Sequence, residues 1–212
     1  MKTLEIKKIA PLAHVEGLSS YFDEEAVEYH SVSVVNWKEY PYQPEVKFRI
    51  AHDGENLYLN WKVDEIEIKA VCEEDGGPVW KDSCVEFFVS FNPSHYYNIE
   101  TNCIGKVLVG TGVDRMNRKP VPLTRIRTIQ RWSSLGNRAV SGREGAWELS
   151  LILPKELFYL DSIPHFSGLT AQGNFYKCGD DLKQPHFLSW NPIENEAPNF
   201  HLSAYFGKIS FE

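Results

Sequence analysis

Two acidic side chains lie on short runs that otherwise have the pattern of β-strands. Glu86 lies in the run SCVEFFVSF, most of which is apolar. An acid in such a place needs a partner, because an unpaired buried charge is costly. Asn98, Glu100 and Asn102 alternate onto one face of the next run, YYNIETN. If the two runs form a hairpin, one sheet face collects carboxylates and amides, which are groups that hydrogen-bond sugar hydroxyls.

Aromatic side chains near these runs could supply the flat surface on which a sugar ring stacks. Trp80 follows the turn GPV, and a loop buries a tryptophan poorly unless the loop folds back. Phe200 and Tyr205 lie in the C-terminal run ENEAPNFHLSAYF. We predict that these three aromatics form a recognition platform, with core packing as the alternative. Three other tryptophans have strand-like spacing and are predicted to be core: Trp61, Trp147 and Trp190.

Three further interpretations of Glu86 follow from its position. It could pair with a neighbouring Lys or Arg as a structural ion pair, the commoner cause of a mid-strand acid. It could lie on an ordinary solvated sheet face. Together with Glu100 it could also form the catalytic pair of a glycoside hydrolase, which needs two carboxylates about 5–10 Å apart.

Other chemistries have little support in the sequence. The chain has no GxSxG, P-loop, HExxH or dinucleotide-binding motif. Its four cysteines are widely spaced without a CxxC pair, which argues against structural zinc. Cys84 and Cys103 are predicted to be small buried hydrophobes. Asp180 and Asp181 are weak candidates for a calcium site.

A short basic run, TRIRTIQRW (residues 124–132), is predicted to form a strand with Arg125, Arg127 and Arg131 on one face. The net charge of the 212-residue chain is −7, which argues against a nucleic-acid partner. We therefore interpret the basic run as a solvated face or a partner for acidic side chains.

The sequence predicts neither a membrane span nor a secretory signal peptide. The N-terminus MKTLEIKKIAPLAHVEG mixes charged and apolar residues. As written, the chain is expected to be cytoplasmic, or periplasmic or secreted if a leader was removed.

Period-two alternation dominates the segments that must position these residues, which predicts strands with one face on a core. The alternating sets are Val46, Phe48 and Ile50; Leu57, Leu59, Trp61 and Val63; Val85, Phe87, Val89 and Phe91; and Trp147, Leu149, Leu151 and Leu153. Helical patterns are confined to residues 154–159 and 22–30. We predict an all-β fold, an antiparallel β-sandwich or jelly roll with one or two short helices. Residues 1–212 are expected to form one domain, with 1–44 its less regular part.

Five segments together resemble family 9 of the carbohydrate-binding modules, within a larger group of DOMON-like β-sandwiches, over most of residues 45–212. They are VWKDSCVEFFVSFN, YYNIETNCIG, AWELSLILP, NFYKCGDD and LSWNPIENEAPNFHLSAYFGKISF. The family's xylanase-associated modules grip a terminal sugar between two aromatic side chains beside a glutamate. The resemblance places these roles on Trp80, Phe200 and Glu86, with Phe200 where those modules have tryptophan. It also implies calcium as a candidate structural ion, with no ligand assigned.

Besides Phe200, three positions depart from the family pattern. Glu100 stands where the family has an arginine, which reverses a charge in the implied pocket. Cys178 stands in place of an asparagine, and Tyr176 in place of a glutamine. The resemblance therefore implies the binding mode but not the identity of the sugar.

These observations predict non-catalytic binding of a mono- or oligosaccharide. Trp80 and Phe200 would clamp the sugar and Glu86 would hydrogen-bond its hydroxyls. Four further residues are predicted to line the site: Asn98, Glu100, Asn102 and Tyr176. The alternatives are a glycoside hydrolase using Glu86 and Glu100, and a protein-interaction module that has lost its sugar. The sequence leaves the oligomeric state open.

Overall fold

The computed structural model describes all 212 residues, which form fourteen strands and two short helices. The strands are β1 (Thr3–Lys8), β2 (His30–Ser31), β3 (Val34–Val35), β4 (Glu45–His52), β5 (Asn56–Ala70), β6 (Cys84–Asn92), β7 (His95–Asn102), β8 (Val107–Gly112), β9 (Lys119–Pro120), β10 (Gln130–Ser133), β11 (Val140–Pro154), β12 (Thr170–Cys178), β13 (Phe187–Ser189) and β14 (Gly207–Phe211). The helices are α1 (Leu18–Glu24) and α2 (Leu123–Ile126).

The strands form the two layers of a β-sandwich, as predicted. One layer, here called the pocket sheet, has the order β14-β12-β6-β7-β8-β9, with β13 attached to β12 and β3 attached to β13. The other, the back sheet, has the order β10-β11-β5-β4, with β2 attached to β4. Strand β1 joins the layers by pairing in parallel with β14 and β4, while the other pairs are antiparallel. The N-terminal strand thus links both sheets.

The main core lies between the two sheets and is rich in aromatic rings. Phe175 of β12 stacks on Phe48 of β4 at 3.7 Å and on Phe87 of β6 at 4.7 Å between ring centroids. Trp61 and Trp147 are buried in the same core, and so is Trp190. The predicted core face of β6 is therefore confirmed.

The opposite face of the pocket sheet is covered by protein. A second apolar cluster includes Cys84 and Phe88 of β6, Tyr96 of β7 and Tyr176 of β12. The C-terminal loop adds Phe200 to this cluster. Because that loop crosses the sheet, Glu86 and its neighbours do not lie on an ordinary solvated face.

A buried ionic group ties the two sheets together at β5 and β12. The Nζ of Lys177 lies 2.8 Å from Oε2 of Glu65 and 2.8 Å from Nε2 of His186, and all three side chains are fully buried. Trp147 Nε1 donates to the other Glu65 oxygen at 2.7 Å. The Lys177 contact makes His186 Nε2 an acceptor, which leaves Nδ1 to donate to the Gln184 carbonyl at 2.9 Å.

The predicted strand at residues 124–132 is wrong. Its first part forms α2, which begins after Pro122, and only its end belongs to β10. Arg131 pairs with Asp75 at 2.5 Å, and Ile129 is buried. The run therefore forms no basic stripe, because the helical turn and the ion pair separate its arginines.

The predicted helical segments are shorter than their sequence patterns. Residues 154–159 contain only a 3₁₀ turn, Lys155–Leu157, and the N-terminal helix is α1 rather than a helix over 22–30. All four cysteines are free thiols, and Cys84 and Cys103 are buried as predicted. No helix is both long enough and apolar enough to cross a membrane.

Candidate functional site

A small pocket of about 90 Å³ opens where the C-terminal loop meets the outer face of the pocket sheet. Its apolar walls are Trp80, Phe187, Pro198 and Phe200. Its polar lining consists of Glu86, Glu100, Cys178, Asp180, Arg115, Arg118, Asn199 and His201. Apolar walls with a few convergent polar groups are typical of small-molecule sites, although this pocket is smaller than the ~300 Å³ usual for drug-sized ligands. It would therefore hold only part of a small polar molecule.

Trp80 lies in this pocket rather than in the core. It occupies the 3₁₀ turn Val79–Lys81, whose buried Val79 anchors the turn. The segment after β12 holds the turn by its backbone, because the Asp180 amide donates to the Trp80 carbonyl at 3.2 Å. The Trp80 ring is half-buried and stacks on no other aromatic ring of the protein. Part of the side chain packs against the apolar cluster on the outer face of the pocket sheet, and the rest lines the pocket.

Phe200 forms another wall, but it is only 8% exposed. Its ring stacks on Tyr176 at 4.1 Å with an interplanar angle of 6°. The Tyr176 hydroxyl donates to the Phe200 carbonyl at 3.1 Å. Tyr176 therefore supports Phe200 from beneath and does not line the pocket, and Tyr205 also lies outside the lining.

Glu86 lies at the floor, only 3% exposed. It is directly opposite Glu100 on β7, as the predicted hairpin requires. The Cys178 thiol donates to Oε1 of Glu86 at 3.1 Å. Burial raises the pKa of Glu86 well above its usual value, and the neighbouring Glu100 raises it further.

Glu100 is held by two donors on a single oxygen. Asn98 Nδ2 donates to its Oε1 at 2.8 Å, and an Arg118 guanidinium nitrogen lies 3.2 Å from the same atom. Burial raises the pKa of Glu100, and the charge of Arg118 opposes this rise. Gly110 of β8 leaves room for the Asn98 side chain, because a Cβ at position 110 would lie 2.7 Å from the Asn98 amide oxygen.

Both floor acids keep one carboxylate oxygen without a protein donor. All hydrogen bonds to Glu86 and Glu100 go to Oε1, so neither Oε2 is engaged. Both residues line the pocket, and a carboxylate oxygen without a donor keeps its capacity to accept hydrogen bonds.

The predicted residues thus divide into two groups. Trp80, Glu86, Glu100 and Phe200 come together in the pocket, whereas Asn98 acts only through Glu100. Asn102 lies outside the lining, because its amide donates to Asp82 at 2.9 Å and to the Cys72 carbonyl at 3.0 Å. It therefore holds the chain before β6 in place.

Two arginines of the pocket were not expected from the sequence. Arg115 and Arg118 lie between β8 and β9 in the run GVDRMNRKP. Arg118 pairs with Glu100, while Arg115 has no hydrogen-bond or ion-pair partner. Two basic residues on a loop between predicted strands were the only sequence signal for them.

Asp180 and His201 complete the polar lining. Burial and the adjacent Asp181 raise the pKa of Asp180 to about 6. Asp181 instead pairs with Lys81 at 3.2 Å, so the two aspartates do not converge as a calcium site would require. Burial and the charge of Arg118 lower the pKa of His201 to about 3, so it is neutral near pH 7.

Two groups of solved structures are similar to this chain. A protein of Bacteroides uniformis to which carbohydrate binding is attributed is 44% identical, with a TM-score of 0.96 over 100% of this chain and 99% of that one. A family 9 carbohydrate-binding module of Caldicellulosiruptor kristjanssonii in complex with glucose is 13% identical, with a TM-score of 0.66 over 100% of this chain and 96% of that one. The same organism's module in complex with cellotriose is also 13% identical, with a TM-score of 0.63 over 100% and 94%.

At 13% identity, the two Caldicellulosiruptor complexes establish the shared fold alone. The comparison with curated proteins finds no match. The sequence profile of carbohydrate-binding family 9 matches residues 16–211, nearly the whole chain. This protein therefore belongs to carbohydrate-binding family 9.

Proposed function

We propose that the pocket binds one sugar ring, either a free monosaccharide or the end of a glycan, without catalysis. The free Oε2 atoms of Glu86 and Glu100 accept hydrogen bonds from neighbouring hydroxyls, while Trp80 covers an apolar face of the ring. The observation that carries this proposal is the pair of undonated carboxylate oxygens beneath an unstacked tryptophan.

The physical reason is the match between these groups and a sugar. A pyranose carries adjacent hydroxyls around its edge and C–H groups on its faces. Each hydrogen bond contributes about 0.5–1.5 kcal/mol, or about 1.5–3 kcal/mol where the carboxylate is ionised. The aromatic surface of Trp80 adds apolar burial. Arg115 and Asn199 at the rim supply donors for hydroxyl oxygens, so both kinds of polar partner are present.

The arrangement favours binding over glycoside hydrolysis. A hydrolase needs two carboxyl groups that flank the scissile bond. Glu86 and Glu100 are instead cross-strand neighbours on one sheet face, so both approach a ligand from the same side. That geometry suits two adjacent hydroxyls of one ring.

Calorimetry on the intact protein tests the proposal. The panel contains glucose, xylose, galactose, mannose, cellobiose and cellotriose, with a broader glycan array to follow. We expect at least one sugar to bind, and Trp80→Ala and Glu86→Gln each to weaken it about tenfold or more, which corresponds to about 1.4 kcal/mol. Tyr205→Ala is the matched control, because Tyr205 lies on the same C-terminal loop outside the pocket.

Three outcomes would contradict the proposal. If Trp80→Ala binds the sugar as tightly as the wild type, the aromatic surface is elsewhere. If no glycan binds, the family fold serves another purpose in this chain, such as binding a protein. Turnover of an aryl glycoside that Glu86→Gln abolishes would replace binding with hydrolysis.

A further inference from the structure

Two of the four cysteines meet at the floor of the pocket, next to Glu86. Cys84 and Glu86 are two residues apart on β6, so their side chains share a face. Cys178 of β12 is directly opposite Cys84 in the antiparallel register. The two Sγ atoms and a Glu86 carboxylate oxygen all lie within 4.8 Å of one another. Sequence spacing alone argued against zinc because the two cysteines are 94 positions apart, but the sheet register brings them together.

We propose that Cys84, Cys178 and Glu86 form a binding site for a thiophilic divalent metal ion, with Zn²⁺ as the ion that fits best. Zinc takes thiolate ligands at about 2.3 Å and carboxylate oxygens at about 2.0–2.2 Å. A tetrahedral site would therefore hold its sulfur atoms about 3.8 Å apart. The three donor atoms already lie close to such an arrangement, so small side-chain rotations would be enough to complete it.

The donor set selects the class of metal. Two soft sulfur ligands and one oxygen suit zinc and its analogues Co²⁺ and Cd²⁺. Calcium and magnesium require oxygen ligands and would gain little from the thiols. Three protein ligands also leave the fourth tetrahedral position open, as in zinc sites that keep a water or a ligand.

The site is buried but can be reached by an ion. Glu86 and Cys178 both line the pocket, so an ion can approach them through its mouth, while Cys84 lies beneath and is fully buried. The Cys178 thiol now donates its proton toward Glu86 Oε1 at 3.1 Å. As the two sulfur–metal bonds form, each thiol releases its proton to solvent, two per ion, and the metal takes the place of the S–H···O contact.

The other two cysteines provide internal controls. Cys72 is half-buried on the loop before Trp80, and the only hydrogen bond of its thiol is to the Glu74 carbonyl at 3.5 Å. Cys103 is buried, and its thiol contacts the Lys69 carbonyl at 3.9 Å. Neither belongs to the three-residue group.

Titration of metal-free protein with Co²⁺, kept reduced with a phosphine, tests the site directly. We expect near-ultraviolet thiolate-to-cobalt charge-transfer absorption that saturates at one ion per chain, and Zn²⁺ should displace the cobalt. Cys84→Ser and Cys178→Ser should each weaken binding about 100-fold or more. Cys72→Ser should bind as the wild type does. The absence of charge-transfer absorption, or its persistence in Cys178→Ser, would overturn the proposal.

A second measurement uses only the wild-type chain, in case a serine variant fails to fold. Alkylation by N-ethylmaleimide, followed by peptide mass spectrometry, reports each thiol separately. Saturating Zn²⁺ should slow alkylation of Cys84 and Cys178 at least tenfold and leave Cys72 unchanged. Equal protection of all thiols, or of none, would refute the site.

The metal site is distinct from the proposed sugar function but shares Glu86 with it. Calorimetry on metal-free protein tests the sugar alone, and cobalt titration without sugar tests the metal alone, so either can fail separately.

Discussion

Arg118 is the one cation that pairs with an acid of the pocket floor, which makes Arg118→Met a sharp test of how the pocket is held together. Its guanidinium lies 3.2 Å from Glu100 Oε1, and the Glu100 side chain is only 3% exposed. Methionine keeps much of the length of the side chain but removes the charge. Glu100 would then retain Asn98 as its only hydrogen-bond donor.

The size of the effect follows from this geometry. Two unit charges at 3.2 Å interact by about 5 kcal/mol at an effective dielectric constant near 20. Arg118 is 24% exposed, so water recovers part of this loss. The variant can also protonate Glu100, which limits the cost. We therefore expect the free energy of unfolding to fall by about 2–3 kcal/mol at pH 7.5, somewhat below the full penalty for breaking a buried pair.

Urea unfolding followed by tryptophan fluorescence measures this change. Arg115→Met is the matched control, because it removes an arginine from the same loop and pocket that has no protein partner. We expect its unfolding free energy to stay within about 0.5 kcal/mol of the wild type, as for other surface substitutions. If Arg118→Met is as stable as Arg115→Met, the Glu100 carboxylate does not depend on its arginine and the electrostatic reasoning is wrong.

Three further predictions concern the parts that support the pocket. Lys177→Met should lower the free energy of unfolding by about 3–5 kcal/mol, because it leaves Glu65 buried without its partner. In urea unfolding, the double variant Lys177→Met/Glu65→Leu should recover most of that loss, and no recovery would contradict the pairing. Burial and the charge of Lys177 lower the pKa of His186 to about 3, so its contribution to stability is complete above pH 6.5 and is lost as the pH falls toward 3. Relative to His186→Gln, the wild type should therefore lose about 2 kcal/mol between pH 6.5 and 5.0, and parallel pH profiles of the two proteins would refute this. Gly110→Ala would place a Cβ 2.7 Å from the amide oxygen of Asn98, and it should lower the free energy of unfolding by about 1–3 kcal/mol and weaken sugar binding. The control is Gly17→Ala, because a Cβ at that position meets nothing within 4 Å. Equal thermal stability of the two variants would exclude the clash.

The strands that carry the site were predictable because each places its large apolar side chains on the face that packs against the core. Val85, Phe87 and Val89 alternate with Cys84 and the other pocket-side residues, so a period of two gave the correct face. The run at 124–132 misled because Arg125, Arg127 and Arg131 fall at positions that a period of two places on one face. Pro122 and local hydrogen bonds turn its first half into α2, which no alternation pattern reveals.

The outer face of the pocket sheet was harder to predict, because what covers it is distant in sequence. Phe88 and Tyr176 look like exposed residues of a half-buried sheet until the C-terminal loop places Phe200 over them. Stacking of Phe200 on Tyr176 also uses one face of the ring that the resemblance assigned to a sugar. Trp80 therefore offers the larger free aromatic surface, and the two aromatic walls are not equivalent.

The apparent charge reversal at Glu100 shows that the charge of the pocket cannot be predicted by matching single positions to the family pattern. The family resemblance implies an arginine there, and an acid facing Glu86 would by itself leave two buried carboxylates in repulsion. In the folded chain, Arg118, 18 residues further along, brings a guanidinium back to Glu100 Oε1 from the loop after β8. The pocket thus contains both carboxylate and guanidinium groups, but on different elements. The guanidinium lies on a loop, whereas the two carboxylates lie on strands β6 and β7. Substitutions in the loop can therefore alter the charge of the pocket without moving the strand face and its two free carboxylate oxygens.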